Sequence, residues 1–339
     1  NANNALASVQ SVSANVTASA TTDVYNQDVT RTGGNEIISS DVSLSSNSTI
    51  AQATGNNGTQ TLTLGDAGTA NMDRTGVLVN NQAVATVSST VNQDVDVTLS
   101  NTGSIPIQSS SVSLDGNQTT ALARSNVASN TLTVDGNSID AGVGTDASFT
   151  DGGTTAAAYV LGSTQDNDAA VTATTSQSRV AVDVSDTGAT SSGGGVLNST
   201  VSLAGNVSSA TALANSVVNA VSVGANASNV DAATELLSEQ DNSGAVTATG
   251  GSAVVVDVDV TGGVTPTGIN GSSVMLSGNV SASSATGNQA QNSLTTSGAN
   301  IVSGAAGTNA AADSSGAFTT ASGGNLVLNS QDNTGAINS

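Results

Sequence analysis

Apolar and polar residues alternate strictly in several parts of the chain, which is the pattern of β-strands with two different faces. The clearest case is V-V-V-D-V-D-V from Val254, where alternate valines fall on one side and Asp257 and Asp259 on the other. Related runs begin at Val180 (V-A-V-D-V) and at Val95 (V-D-V-T-L). Because valine also favours strands, these stretches predict an all-β protein.

One longer pattern occurs four times, beginning at Val42, Val112, Val201 and Val274. Each copy reads V-x-L-x-x-N, and further side-chain amides follow 14 and 18 residues after the first valine. The copies begin 70, 89 and 73 residues apart. Stacked asparagines can bond to one another through their amides, so we expect ladders formed by Asn47, Asn56, Asn117, Asn126, Asn130, Asn206, Asn215, Asn219, Asn279, Asn288 and Asn292.

A second element follows each pattern and contains Q-D-N in three copies, which end at Val171, Val246 and Ile337. The two elements together indicate one elongated repeat domain over the whole chain. We divide it into units 1–37 (partial), 38–94, 95–179, 180–253 and 254–339.

The spacing of these strands favours a parallel β-solenoid. With about 20 residues per rung, each unit would form about four rungs, and seventeen rungs would make a rod on the order of 80 Å long. Small residues suit a narrow interior, and glycine or asparagine suits its corners. Tandem β-sandwich domains of about 75 residues are the alternative. Helix signals are weak, and the best candidate, residues 232–240, fits a loop and a strand equally well.

Composition narrows the functions that are chemically available. The 339 residues carry a net charge of −21 and include no Cys, His, Trp or Lys. Disulfides, zinc held by Cys or His, a histidine base and a lysine nucleophile are therefore excluded. Four arginines cannot neutralise a row of phosphates, so we expect no nucleic-acid partner. Paired carboxylates could hydrolyse glycosides, but four scattered aromatic residues supply no sugar platform, and we expect no enzyme.

Simple disorder fits poorly, because 37% of the residues are apolar and the mean hydropathy is +0.02. No run of about 18 apolar residues occurs, so we expect no membrane-spanning helix. The chain begins with Asn1, and we interpret it either as a mature chain, exported to the cell surface or outside the cell after removal of a signal, or as a fragment. Asn4-Ala5-Leu6 resembles the late Asn-x-Leu part of the pattern, so the two ends would be nearly sequential in repeat phase.

Two acidic clusters are candidate calcium ligands, because calcium prefers oxygen donors. They consist of Asp135, Asn137 and Asp140, and of Asp166 and Asp168. Neither matches a known calcium loop, and solvated turns are the alternative interpretation. We expect no other cofactor.

The pattern V-S-L-A-G-N-x8-N-x3-N-x-V-x-V from Val201 resembles the repeats of bacterial β-strand-repeat surface proteins, especially the holdfast-anchor type. The resemblance covers most of the chain and includes no catalytic motif. It implies an exported, self-associating structure that attaches cells or matrix. Curli-like subunits are similar in concept, but their Gln/Asn spacing differs, so no residue is carried over from them.

Together these observations predict a structural subunit of an extracellular filament or matrix fibre. Subunits would join head to tail, because an uncapped stack of strands grows by the same contact at each end. The expected partner is the protein itself, with a surface polysaccharide as a second candidate. The alternative function is a monomeric adhesin stalk or anchor at the cell surface.

Overall fold

A computed structural model describes residues 4–31, 37–65, 71–72, 74–102, 107–142, 145–148, 154–186, 195–224, 227–260, 268–302, 308–312 and 318–339. These residues form 29 β-strands, and no helix occurs among them. Residues 232–240, the best helix candidate, contain the end of one strand and most of the next. The chain is therefore all-β in the part that the structure describes.

The strands follow one another in five passes. Pass 1 contains β1 (Asn4–Val12), β2 (Val16–Arg31), β3 (Asp41–Ser43), β4 (Ser48–Leu64) and β5 (Asn71–Met72). Pass 2 contains β6 (Gly76–Val84), β7 (Val87–Asn101), β8 (Ile107–Gln108), β9 (Ser111–Ser113), β10 (Gln118–Val134) and β11 (Ser138–Gly142), and is followed by a hairpin of β12 (Thr145–Ser148) and β13 (Thr154–Ala157).

The later passes repeat this order. Pass 3 contains β14 (Tyr159–Asn167), β15 (Val171–Asp186), β16 (Gly195–Leu197), β17 (Thr200–Ala204), β18 (Val207–Val223) and β19 (Asn229–Ala232). Pass 4 contains β20 (Thr234–Asn242), β21 (Val246–Val260), β22 (Gly268–Asn270), β23 (Ser273–Ser277), β24 (Val280–Thr296) and β25 (Asn300–Val302). A second hairpin of β26 (Thr308–Ala312) and β27 (Phe318–Gly323) precedes pass 5, which contains β28 (Asn325–Asn333) and β29 (Ile337–Asn338).

Equivalent strands of successive passes pair in parallel and form six sheets, which we name A to F. Sheet A has the order β1-β6-β14-β20-β28, and sheet B has the order β2-β7-β15-β21-β29. Sheet C has the order β8-β16-β22, and sheets D, E and F have the orders β3-β9-β17-β23, β4-β10-β18-β24 and β5-β11-β19-β25. The chain thus visits the same sheets in the same sequence on each full pass.

One repeat unit makes one pass, so the expectation of about four rungs per unit is wrong. Asn126 is the register partner of Asn56 and of Asn215, which lie 70 and 89 residues away. The segments that lie about 20 residues apart within a unit belong to one long strand or to neighbouring sheets. A 17-residue strand such as β10 alone extends about 56 Å. The described sheets are therefore three to five strands deep, at most about 20 Å, instead of on the order of 80 Å.

Small and branched apolar residues fill the space between facing sheets. Sheet A packs its inward side chains, such as Leu161 and Leu236, against Leu132 and Val221 of sheet E. In the first half of sheet E, alanines such as Ala121 pack against the valines at the start of the sheet B strands. The second half of sheet B packs against sheets C and D. The long strands of sheet E therefore oppose both sheet A and the start of sheet B.

The two antiparallel hairpins account for the unequal lengths of the units. Both are inserted between a strand of sheet F and the next strand of sheet A. Ala157 of the first hairpin packs with Val77, Val160 and Leu237, on the face of sheet A opposite to the inward leucines. The hairpins thus lengthen a pass without changing the register of its sheets.

A corner between sheets D and E requires a positive φ at one position in each of passes 1 to 4. Gly116, Gly205 and Gly278 have φ of 71°, 66° and 64° there, and Ser46 has 60° in pass 1. Glycine adopts this conformation without the steric cost that a Cβ atom brings. The glycine of V-S-L-x-G-N is therefore a corner residue.

The N-terminal strand lies in a different sheet from the one that the sequence suggested. Asn4-Ala5-Leu6 pairs with β6 of sheet A, whereas the Asn-x-Leu of the main pattern lies in sheet E. Strands β1 and β28 are both members of sheet A. The described ends are therefore equivalent in phase rather than sequential, because a three-residue match does not identify a strand in a chain so rich in asparagine.

Candidate functional site

The first asparagine of the pattern forms a continuous amide ladder at the corner between sheets D and E. The Nδ2 atoms of Asn47, Asn117 and Asn206 donate to the Oδ1 atom of the next asparagine at 2.9, 3.0 and 2.9 Å, ending at Asn279. The backbone N–H of each donor residue bonds the same oxygen at 3.0–3.1 Å. Every rung of the ladder thus makes two bonds to the following pass.

Two more ladders run through sheet E. In the first, Asn56, Asn126 and Asn215 donate to the next member at 2.8, 2.9 and 2.9 Å, and Asn288 is last. In the second, Asn130 donates to Asn219 and Asn219 to Asn292, both at 2.9 Å, while Gln60 occupies the same position in pass 1. The interior members Asn126, Asn130, Asn215 and Asn219 are fully buried. The structure thus brings together all eleven asparagines of the pattern in three rows.

Sheet A carries a glutamine ladder that the sequence analysis missed. Gln82, Gln165, Gln240 and Gln331 each donate Nε2 to the glutamine of the preceding pass at 2.6–2.8 Å, down to Gln10. The bonds run in the direction opposite to those of the asparagine ladders. The recurrence of Q-D-N was the available signal, but Gln10 and Gln82 lie outside that motif.

The asparagine of Q-D-N forms a further row beside the glutamines. Asn167 donates to Asn242, and Asn242 donates to Asn333, both at 2.6 Å. Each Nδ2 also caps a backbone carbonyl two residues later in its own turn, at Ala169, Gly244 and Gly335. Because each asparagine has this second partner, the row stabilises the turn between sheets A and B as well as the contact between successive passes.

The strands of the last pass in each sheet form an open edge. We define the last edge as the last strand of each sheet, β22, β23, β24, β25, β28 and β29, and the first edge as the strands of pass 1, β1 to β5. At the last edge Val274 and Leu276 are 44% and 51% exposed, whereas Val201 and Leu203, one pass earlier, are 4% and 0% exposed. Within the described residues no strand pairs with the outer side of the last edge. Its apolar side chains occupy core positions beyond which the described part of the chain places no further strand.

The acidic residues of the V-D-V strands form only partial rows in sheet B. Asp183 is the register partner of Asp257 on one side but of Thr98 on the other. Asp96 lies beside Arg179, whose Nη1 atom is 2.7 Å from its carboxylate. Burial raises the pKa of Asp96, against the lowering effect of Arg179. The side chains of residues 252–260 lie outside the part that the structure describes.

One carboxylate connects two passes in sheet D. Asp115 accepts from Ser113 Oγ at 2.5 Å, from Ser202 Oγ at 2.9 Å and from the Ala204 amide at 2.7 Å. Burial acts to raise the pKa of Asp115, but these three hydrogen bonds together outweigh it and hold the pKa below its usual value. The ionised form therefore stabilises the contact between β9 and β17.

The structure places the calcium candidates on separate turns and strands. Asp135 accepts from the Gly136 amide at 2.9 Å, and Asp168 accepts from Ser243 Oγ at 2.7 Å. Asn137 is exposed directly before β11, Asp140 is exposed on that strand, and Asp166 lies on β14. Among the described residues no three acidic side chains come together in a way that could hold a metal ion.

No helix in the described ranges is long and apolar enough to cross a membrane. Comparisons with family models, with curated proteins and with solved structures give no match for this chain.

Proposed function

We propose that the protein is a structural subunit of an extracellular filament or matrix fibre, assembled head to tail. In this proposal the six sheets are the faces of a parallel β-solenoid that makes one turn per repeat unit. Subunits stack so that the last edge of one copy meets the first edge of the next. The open strand edges and the amide ladders of the described residues are the main support.

The observation that carries the proposal is the exposure of core residues at the last edge. Val274, Leu276 and Ile301 are 44–51% exposed, and their equivalents in the preceding pass are buried. An open strand edge with apolar side chains is a template for pairing with another chain. Burying these side chains under another pass would yield about 25 cal/mol for each Å² of apolar area removed from water.

The amide ladders support self-assembly over nonspecific association. Asn206 donates to Asn279, and an equivalent donor at Asn279 would meet Asn47 at the first edge of the next copy. A shift by one residue would move every side chain to the opposite face of the sheet. The ladders therefore favour a partner that carries the same residues at the same spacing.

The acidic surface supports assembly outside the cell under control of salt. A net charge of −21 makes copies repel one another at low ionic strength. Cations screen such repulsion, and calcium could additionally bridge carboxylates of neighbouring subunits. We infer that filaments form more readily with added salt. If the acidic turns of two copies combine into a calcium site, filaments form most readily with calcium.

Electron microscopy of the negatively stained protein, with and without calcium, tests the proposal. We expect uniform unbranched filaments and a 4.8 Å fibre reflection along the axis, which is the spacing of stacked strands. Val274→Asp places a charge within the last edge and should leave dispersed particles. Thr131→Asp adds the same charge to the outward face of interior strand β10 and should leave filaments intact.

Dispersed wild-type particles at high protein concentration, in both salt and calcium, would contradict the proposal. That result would favour the monomeric stalk or anchor, for which binding to a surface polysaccharide would be measured next. Filaments of the Val274→Asp variant would show that assembly does not use the last edge.

A further inference from the structure

We propose that two copies of this chain pair face to face through the outward side of sheet E. The copies lie side by side in this contact, so it is separate from the head-to-tail joint of the proposed filament and does not depend on it. The partner is a second copy of this chain. Further strands on either side of sheet E would widen the face and leave its rows in place.

Sheet E contains no acidic residue. Its strands β4, β10, β18 and β24 have 17 residues each, and none of these residues is Asp or Glu. At the average of the whole chain, 25 acidic residues in 339, four strands of this length would contain about five. Outward carboxylates occur on other sheets, at Asp166, Glu239, Asp96, Asp183 and Asp41. Although the net charge is −21, two copies can therefore meet along sheet E without bringing carboxylates together.

The carboxylates of sheets A and B stay far apart in such a pair. Sheet E packs against sheets A and B through its inward side chains, and packed sheets lie about 10 Å apart. Three such spacings would separate sheet A or B of one copy from those of the other, on the order of 30 Å. Charges are largely screened beyond about 8 Å at physiological ionic strength. Repulsion between the copies should therefore be weak in physiological salt and stronger at low salt.

The outward side of sheet E has an apolar centre and a margin rich in hydroxyl groups. Leu122 and Val127 of β10 are diagonal neighbours of Leu213 and Val218 of β18, and Val218 is 43% exposed. Within the described ranges no strand packs on this side. Small hydroxyl side chains form a row near the strand ends, at Thr63, Thr133, Ser222 and Thr295. An apolar centre with a polar rim is the usual anatomy of a protein interface.

One charged side chain, Arg124, lies among these central residues. It is the register partner of Thr54 and Leu213. A guanidinium group is weakly hydrated and carries five donors, and arginine is enriched where interfaces bind most strongly. Arg124 of one copy can donate to amide oxygens of the other, such as those of Gln52 or Gln289. It therefore suits the centre of an interface that contains no carboxylate.

The face is large enough for a stable pair. A strand of 17 residues extends about 56 Å and four strands span about 19 Å, which gives about 1,000 Å² per copy. Two copies would bury about 2,000 Å² in total, and stable interfaces bury about 1,200–2,000 Å². Uncharged strands that stack in register without proline also form dry, interdigitated contacts between paired sheets. Area and chemistry thus both fit a second copy.

Sedimentation equilibrium of matched charge variants tests the pairing. Thr211→Asp places a carboxylate between Leu213 and the register partner Leu122, whereas Thr174→Asp places one on the outward side of β15 in sheet B. We expect the wild type and Thr174→Asp to sediment as pairs. Thr211→Asp should pair at least about 100-fold more weakly, because it would bury an unpaired charge. Where subunits stack into filaments, the same comparison is made in the Val274→Asp background.

Maleimide labelling gives a second measurement, because the chain contains no cysteine. Ser216→Cys lies at the centre of the face, as the register partner of Val127, and Thr172→Cys lies on the outward side of sheet B. We expect labelling of Ser216→Cys to slow as the protein concentration rises and pairs form. Labelling of Thr172→Cys should stay constant. This comparison introduces no charge, so it remains informative if Thr211→Asp fails to fold.

The outcomes separate this pairing from the filament function. Monomers at every soluble concentration in physiological salt would overturn the pairing, and binding of an uncharged polysaccharide to the same face would be measured next. Equal weakening by Thr211→Asp and Thr174→Asp would also overturn it, because the contact would not use sheet E. Pairs that never elongate would support the pairing and overturn the filament function, whereas filaments one subunit wide would do the reverse.

Discussion

Pass 3 and the last edge carry almost the same sequence pattern but differ in what surrounds it. Leu203 in β17 and Leu276 in β23 are register partners, and their exposures are 0% and 51%. The same contrast holds for Asn215, which is buried between two ladder neighbours, and Asn288, which has a described neighbour on one side. The comparison shows that the repeat encodes a position in a ladder, while burial depends on whether another pass follows.

Because of this difference in burial, equivalent side chains can contribute to the stability of the single chain in one pass and to association between chains in another. Full burial of a leucine side chain contributes about 1.5–3 kcal/mol relative to exposure. Leu203 makes that contribution to folding of the single chain, whereas about half of it remains available at Leu276 for a later contact. Variants at register partners can therefore weaken either folding or assembly with the same chemical change.

The largest effect is expected from Leu203→Ala. The change opens a cavity between sheets B and D and should lower the free energy of unfolding by about 3 kcal/mol. Leu276→Ala, its matched control, should cost under about 1 kcal/mol in the dispersed protein, because half of the side chain already meets water. Urea denaturation of dilute protein measures both, and equal losses would contradict the assignment of β23 as an open edge.

A smaller loss in the free energy of unfolding is expected from Asn215→Ala. The substitution removes the bonds to Asn126, Asn288 and the Asp241 carbonyl and leaves buried partners unsatisfied. We expect a loss of about 2 kcal/mol, against about 1 kcal/mol for Asn288→Ala at the end of the ladder. The same denaturation experiment measures the two variants. A larger loss at Asn288 would show that the buried interior asparagines do not contribute most of the stability of the ladder.

Asp115→Asn should give a pH-dependent loss of about 1 kcal/mol at neutral pH. The pKa of Asp115 is lowered in the folded state, so its carboxylate stabilises the fold above the usual pKa of 3.8. That stabilisation is lost as pH falls through the folded pKa. The difference between variant and wild type should accordingly shrink in acid. Asp231→Asn, on an exposed strand end, is the control, and a loss at Asp115 that persists unchanged in acid would contradict the charge assignment.

The smallest expected effect is a gain in stability from a change at Ser46, in the corner of pass 1. Ser46→Gly relieves a positive φ that glycine adopts at the equivalent corner of passes 2 to 4, and should add under about 1 kcal/mol. Gly205→Ala, the reverse change in pass 3, meets open space and should cost about 1 kcal/mol through backbone strain alone. Thermal unfolding of the two variants should shift in opposite directions. Shifts of the same sign would contradict a shared corner geometry.

Residue patterns predicted the strands and the asparagine rows better than they predicted the stacking period. Alternation such as V-D-V is local, and four copies in one register identify the residues that can meet, including Asn117 and Asn206. The number of residues per pass cannot be predicted from a local pattern, because it depends on which strands pair with one another. The glutamine row was missed for the same reason, since Gln10 and Gln82 join it through register rather than through a shared motif.

By itself, the sequence determined the β-strands, the small apolar core residues, the polar amides at fixed offsets and the acidic surface, because each depends on local alternation or on composition. Only the tertiary structure decided that one unit makes one pass, that β1 and β28 both belong to sheet A, as its first and last strands, and that Leu276 is exposed where Leu203 is buried. These features depend on pairing between segments 70–91 residues apart. Such pairing is selected by the hydrogen bonds and packing of the whole stack, so no single segment contains it.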